Sequence, residues 1–245
     1  MIIRNIFRKL YIHPLFYFFT FLFLVTGHIY NYLLFTLIIF IHELGHTLMA
    51  CFFKWKIDKI CIYPYGGISK FSTLVNVYNY QEFFVLVAGP LIQVIFMFIF
   101  YNFLSIKYQS IFIFYNMFIL IFNLLPIYPL DGGKLMKILF SEVFCFKFSL
   151  ILSFFVSSIL IGILLALSII IKNYIFFVII LFLYFKLLGN NLNEIYNKFL
   201  LERYLYNFKF RKCIKVKSIN NFKKDREHLV NGVSEKDCLK KYFIT

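Results

Sequence analysis

Three side chains in the apolar segment TLIIFIHELGHTLMACFF, Thr36 to Phe53, are able to do chemistry: His42, Glu43 and His46. They form the pattern H-E-x-x-H. Residues four apart on a helix face the same way, so both imidazoles can point at one metal ion while the carboxylate sits beside it. Such a set suits hydrolysis by a metal-activated water, with Glu43 as the base that takes the water's proton. With 5 His and 7 Glu in 245 residues, chance predicts only about 0.003 copies of this pattern.

The setting sharpens the reading. His42 lies about 15 Å along a helix from Tyr32, near the middle of a hydrocarbon slab. Ionisable groups at that depth cost several kcal/mol unless they are paired, metal-bound or in a water-filled cavity. A hydrogen-bonded patch between helices is the bland alternative.

Two imidazoles do not complete a catalytic zinc site, which takes three protein ligands and a water. Of the eleven acids in the chain, Asp131 is the best placed. It follows an apolar span that Pro126 and Pro129 end, and Gly132 and Gly133 read as a turn that an ordinary residue would resist. Irregular backbone at membrane depth is tolerated where it is buried in protein or lines a wet cavity. The rival reading makes Asp131 the N-cap of the helix that follows. Asn123 has an amide able to donate to a peptide carbonyl or its oxyanion, or to serve a helix contact. His13 and His28 read as interfacial residues, and Gln93 as a helix–helix contact.

The elements that must hold these groups follow from composition. The chain is 62% hydrophobic and 22% aromatic, with apolar runs near 14–28, 32–53, 83–104, 110–126, 149–171 and 174–188 that read as six spans. The expected fold is an α-helical polytopic membrane protein of about six transmembrane helices. A soluble domain with a large core is excluded. Five scattered cysteines without CxxC spacing speak against a disulfide framework or a structural zinc module.

Between the second and third runs, KICIYPYGGISKFSTLV reads as strand, turn, strand around Pro64, Gly66 and Gly67, either a membrane-associated hairpin with an edge that a peptide could pair with or an ordinary connecting turn. From Asp131 the chain turns amphipathic, with Leu135, Ile138, Leu139 and Val143 on one face, as for a helix lying along the interface. Basic residues gather before the first run, after the second and fourth, and in the tail, leaving Lys107 and Lys172 on the other side. Both termini are therefore expected in the cytoplasm. The residues after 189 carry 13 Lys/Arg and 6 Asp/Glu, a net +7; beside a membrane this favours the anionic leaflet rather than nucleic acid.

The sequence resembles the site-2 protease family of intramembrane zinc metalloproteases. The likeness rests on HELGH in a span, the YGGI turn, AGPLIQ opening the third span, and NLLPIYPLDGGK, and it covers about residues 1–190. It implies Zn2+ as cofactor with ligands His42, His46 and Asp131, and Glu43 as catalytic base. It also implies that Asn123, with Pro129 and the loop around it, holds the substrate; the hairpin with Gly66 and Gly67, and the tail, are further candidates for substrate contact.

Residues 1–190 are expected to form the protease domain, and residues 191–245 a basic, short α/β cytoplasmic tail resembling a truncated CBS-like segment. The sporulation branch implies a pro-sigma factor as protein substrate, membrane-embedded inhibitor proteins as partners, and the mother-cell membrane around the forespore as the location, with a homo-oligomer compatible. Two other classes fit the ligand set: a metal transporter with His42, His46 and Asp131 as a permeation site, and a membrane metalloprotease that trims prenylated proteins. The first gives Glu43 no task, and the second usually draws its third ligand from a later glutamate.

Overall fold

The computed structural model describes residues 10–55, 57–63, 66–71, 75–206, 208, 210 and 212–244. The chain divides into two compact units, residues 1–73 with 83–123, and residues 74–82 with 124–245.

In the first unit, β1 (Leu10–Ile12) leads into α1 (Pro14–Val25). Pro14 suits the first helical position, whose N–H would be unsatisfied anyway, and His13 caps the helix by accepting from the Leu15 N–H. Gly27, at φ +75°, ends the helix in a conformation that costs other residues energy. The chain then enters α2 (Ile29–Phe52), followed by the strands β2 (Ile57–Tyr63) and β3 (Gly66–Phe71). Helix α3 runs Asn79–Tyr101 and α4 Ile106–Leu124. Leu34 and Ile38 of α2 meet Phe112 and Ile119 of α4 in a core, with Phe96 and Phe100 of α3 packed against it.

The expected hairpin is present, with Tyr63 opposite Gly66 and Ile62 opposite Gly67. Gly66 and Gly67 are the first residues of β3 and not its turn, while Pro64 lies outside the described residues. A strand that local pattern did not reveal also joins: β1 pairs in parallel with β2, Leu10 opposite Ile60, giving the order β1-β2-β3. Parallel pairing of segments fifty residues apart leaves no local mark in the sequence. The hairpin lies alongside α2.

The second unit holds α5 (Asp131–Val143), α6 (Phe146–Ile170), α7 (Tyr174–Leu188) and α8 (Leu192–Leu205). A small α/β segment follows, with β4 (Cys213–Val216), β5 (Glu227–Val230), β6 (Val233–Ser234) and α9 (Glu235–Ile244). Asn231 and Gly232, both at positive φ, make the two-residue turn that joins β5 to β6. Ser234 caps α9 by accepting from the Asp237 N–H and donating to the Asp237 carboxylate. The tail folds on α6: Phe146 and Leu150 share one core with Tyr196, Phe199, Phe222, Val230 and Leu239.

Among the described residues four helices, α2, α3, α4 and α6, are long and apolar enough to cross a membrane, or five spans if α7 and α8, bent by 46°, count as one. The stretch read as a first span becomes a 12-residue helix, about 18 Å long against a hydrocarbon core of about 30 Å. On α5 the apolar stripe is split, since Ile138 is buried while Leu139 and Val143 are exposed.

Charge locks the second unit internally. The Glu82 carboxylate accepts from Lys137 Nζ at 2.7 Å and also from Lys224 Nζ. Asn79 donates its N–H to Asp225 and its amide to Glu142, and Asn76 binds both Glu202 and Arg203. The start of α3 and the segment before it are thus pinned to α5 and to the tail. Glu82→Gln leaves two ammonium groups, with side chains only 13% and 2% exposed, without their counter-ion. We expect a destabilisation of about 3 kcal/mol or more, read as a drop in the melting temperature of the detergent-solubilised protein; an unchanged melting point would show the lysines to be solvated.

Candidate metal centre

Helix α2 sets His42 and His46 one turn apart, both buried, with Nε2 atoms 3.1 Å apart. The protonation of each ring follows from its other nitrogen. His46 Nδ1 lies 2.8 Å from the backbone carbonyl of Val85, which only accepts, so Nδ1 carries the proton and donates. His42 Nδ1 lies 2.9 Å from Gln93 Oε1. The Gln93 amide nitrogen donates to the Asn116 carbonyl at 2.9 Å, which fixes the amide's orientation and makes His42 Nδ1 a donor as well. Both Nε2 atoms therefore present lone pairs to each other. Their separation is close to the ~3.3 Å that two nitrogens adopt around a tetrahedral zinc ion. A cation between them turns a repulsion into two bonds.

Close backbone approach makes this possible. A Cβ on Gly45 of α2 would stand 2.5 Å from the Ala88 carbonyl oxygen, and one on Gly89 of α3 would stand 2.4 Å from the His46 ring. Val85, Gly89 and Gln93 are spaced i, i+4, i+8 and form one stripe of α3. The glycine lets the helix in, and the residues one turn to either side supply the two acceptors. Gln93 is thus more than the helix contact read from sequence. The available signal was its spacing of four from a glycine inside an apolar run.

Glu43 is half-buried on α2 beside the histidines, and its backbone carbonyl accepts from Thr47 Oγ1 at 2.8 Å. Asp131 belongs to the second unit. It is the first residue of α5, 7% exposed, and lies 3.2 Å from Lys134 Nζ. The N-cap is Leu130 and not Asp131. Gly132 and Gly133 sit inside the helix rather than in a turn. A Cβ on Gly132 would meet the Leu124 and Leu125 carbonyl oxygens at 2.2 and 2.4 Å, and one on Gly133 would meet Ile127 and Tyr128 backbone at 2.4 Å. Their glycine character answers to the preceding loop pressing on the helix. That loop is also held by Ser157 Oγ, which accepts from the Tyr128 N–H at 2.8 Å.

Asn123 is half-buried near the end of α4, Pro129 half-buried in the loop before Asp131, and Gly66 and Gly67 open β3. His42 and His46 in the first unit and Asp131 in the second are each buried, and donors of these types suit Zn2+. His13 and His28 serve at helix ends instead.

Gly89→Ala tests the fit of the first unit. In a helix this change ordinarily helps by about 1 kcal/mol, but here the methyl group would drive the His46 ring aside. The expected result is a protein that accumulates normally and holds zinc at least tenfold more weakly, measured by metal analysis after competition with a chelator; zinc retained at wild-type affinity would mean that His46 is not placed by Gly89.

Comparison with known proteins agrees with this picture. The model described as Peptidase family M50 matches residues 30–110 and 103–171. Stage IV sporulation protein FB of Bacillus subtilis (strain 168) is 40% identical over 144 residues, 57% of this chain and 50% of that protein. A zinc metalloprotease of Methanocaldococcus jannaschii is 28% identical over 153 residues, 59% of this chain and 44% of that protein. The chain spans about half the length of these curated relatives. Among solved structures, the site-2 protease from Methanocaldococcus jannaschii shares the fold, with a TM-score of 0.57 at 24% identity over 73% of this chain and 88% of that one. The matched region takes in more than half of the sequence, with His42, Glu43, His46 and Asp131 all inside it, and the chain belongs to peptidase family M50.

Proposed function

We propose that this chain is an intramembrane zinc metalloprotease that hydrolyses a peptide bond in a membrane-embedded or membrane-associated protein. The observation that carries the reading is the pair of buried histidines on α2, each with its Nδ1 proton committed to an acceptor and its Nε2 lone pair turned to the other. His42, His46 and Asp131 would hold the ion. Zinc, when bound, lowers the pKa of a water and polarises a carbonyl.

The chain's own groups do the rest. Glu43 takes the proton of the attacking water and returns it to the leaving amine. The Asn123 amide donates to the substrate carbonyl as it gains charge. The edge of β3, beginning at Gly66 and Gly67, offers backbone donors and acceptors to an extended peptide, and Pro129 is a further substrate contact. An extended substrate is required, because a helix hides its carbonyls from any nucleophile.

The likeness to stage IV sporulation protein FB supports a finer reading. The substrate is then a sigma factor carrying an inhibitory prosequence, with membrane-embedded proteins as inhibitors and the mother-cell membrane around the forespore as the location. The distribution of basic residues supports cytoplasmic termini.

Co-expression of a prosequence-bearing sigma factor with wild type and with Glu43→Gln tests the proposal. A shorter product is expected with wild type, and a loss of about 10²-fold or more in the variant, with zinc content unchanged in both. Equal cleavage by the two proteins would remove Glu43 from the mechanism. Zinc moved across a vesicle membrane by wild type and by Glu43→Gln alike, with no cleavage by either, would support a transporter instead.

A further inference from the structure

We infer that Gln93 is a positioning residue for the metal centre, acting through His42 as a hydrogen-bond acceptor and not as a contact that merely packs α3 against its neighbours. The inference rests on the zinc-binding reading above. It starts from an accounting of polar atoms. Gln93 is 1% exposed in an apolar helix, where an unmet amide costs a few kcal/mol. Both ends are met: the NH2 group by the Asn116 carbonyl at 2.9 Å and Oε1 by His42 Nδ1 at 2.9 Å.

The direction of the chain of bonds matters. The Asn116 carbonyl cannot donate, so it holds the Gln93 amide in one orientation and leaves only the oxygen for His42. An oxygen there requires the proton on Nδ1, and that leaves Nε2 as the lone-pair donor. Rotating the amide by 180° would set its oxygen against the Asn116 carbonyl and its NH2 group against the ring, losing the bond to Asn116 and, with Nδ1 protonated, the bond to His42 as well. The side chain of Asn116 is itself anchored, donating to the Phe112 carbonyl at 2.9 Å. Asn116 and Gln93 therefore form a fixed relay from α4 through α3 to α2. His46 gets the same service from the Val85 carbonyl, which no side-chain substitution removes. Gln93 is thus the one of the two Nδ1 acceptors that a side-chain substitution can remove.

Substitutions at Gln93 separate this role from packing because the two readings rank them in opposite order. Gln93→Glu keeps an acceptor oxygen for His42 but buries a charge, whereas Gln93→Leu keeps the volume and removes the acceptor. The full chain would be purified in detergent, stripped of metal, and titrated with Zn2+ against a chromogenic chelator, with melting of the metal-free protein measured alongside. A positioning role predicts Gln93→Glu within a few-fold of wild type in zinc affinity and Gln93→Leu weaker by roughly 10–100-fold, with cooperative melting of the metal-free Gln93→Leu protein showing that the loss is not unfolding. Gln93→Met, similar in length and lacking the amide oxygen, stands in should the leucine variant fail to accumulate. Zinc held by Gln93→Leu or Gln93→Met within threefold of wild type would overturn the inference, as would a Gln93→Glu protein that loses zinc as fully as the leucine variant. Wild type failing to bind zinc at all would instead overturn the functional reading on which the inference rests.

Discussion

The first unit depends on one close approach, the crossing of α2 and α3 at Gly45 and Gly89. Helices in lipid gain little from hydrophobic attraction to each other and associate through packing and hydrogen bonds, for which small residues give access. Here the two glycines bring backbones so near that a single methyl group on either would collide with a carbonyl oxygen or an imidazole. Everything about the histidines follows from that distance. Val85 can offer its carbonyl to His46, and Gln93 its amide oxygen to His42, only because the helix between them stands against the ring. Buried imidazoles that would otherwise cost free energy are met on one side by these acceptors and on the other by the place for a cation.

The second unit solves a different problem, that of fixing a short helix whose first residue is an acid. Helix α5 has no side-chain cap, so its start is defined from outside. The loop before it packs against Gly132 and Gly133 and hangs from Ser157, and its middle is tied by Lys137 to Glu82. Lys224 of the tail reaches the same carboxylate. The tail is accordingly not an appendage: its apolar core includes Phe146 and Leu150 of α6, and its charges close a network that begins before α3.

How much of this was legible in the sequence depends on the range of the interaction. The helical period makes H-E-x-x-H readable, because i and i+4 share a face whatever surrounds them. Pro126 and Pro129 mark the break before Asp131 for the same reason, since a missing N–H acts locally. What sequence could not give were pairings between distant segments: β1 beside β2, Glu82 between two lysines, Gln93 beside His42. A polar residue in an apolar run has many possible partners, and only the crossing of α2 with α3 selects one. The glycine pair at 132–133 shows a subtler failure. Glycine was correctly read as a backbone requirement, but the requirement is close approach inside a helix and not a turn. Helix ends within the apolar runs were a further matter. Hydropathy reports how apolar a stretch is and not where its helix starts and stops, so a run of fifteen apolar residues yielded a helix of twelve.

The fixed tautomers also divide the labour of the proposed reaction. A histidine whose Nδ1 proton is held by a buried acceptor and whose Nε2 binds a metal has no site left for carrying protons, so neither His42 nor His46 can act as the base. On α2 the remaining titratable group near them is Glu43, the only acid in the sequence between Ile29 and Phe52. In the proposed reaction, its place beside the first histidine suits it to take a water's proton. In an apolar span each ionisable group must justify its presence. Under the proposed function, two histidines to bind, one glutamate to move a proton and one glutamine to orient would be the smallest set on α2 and α3 that this chemistry needs.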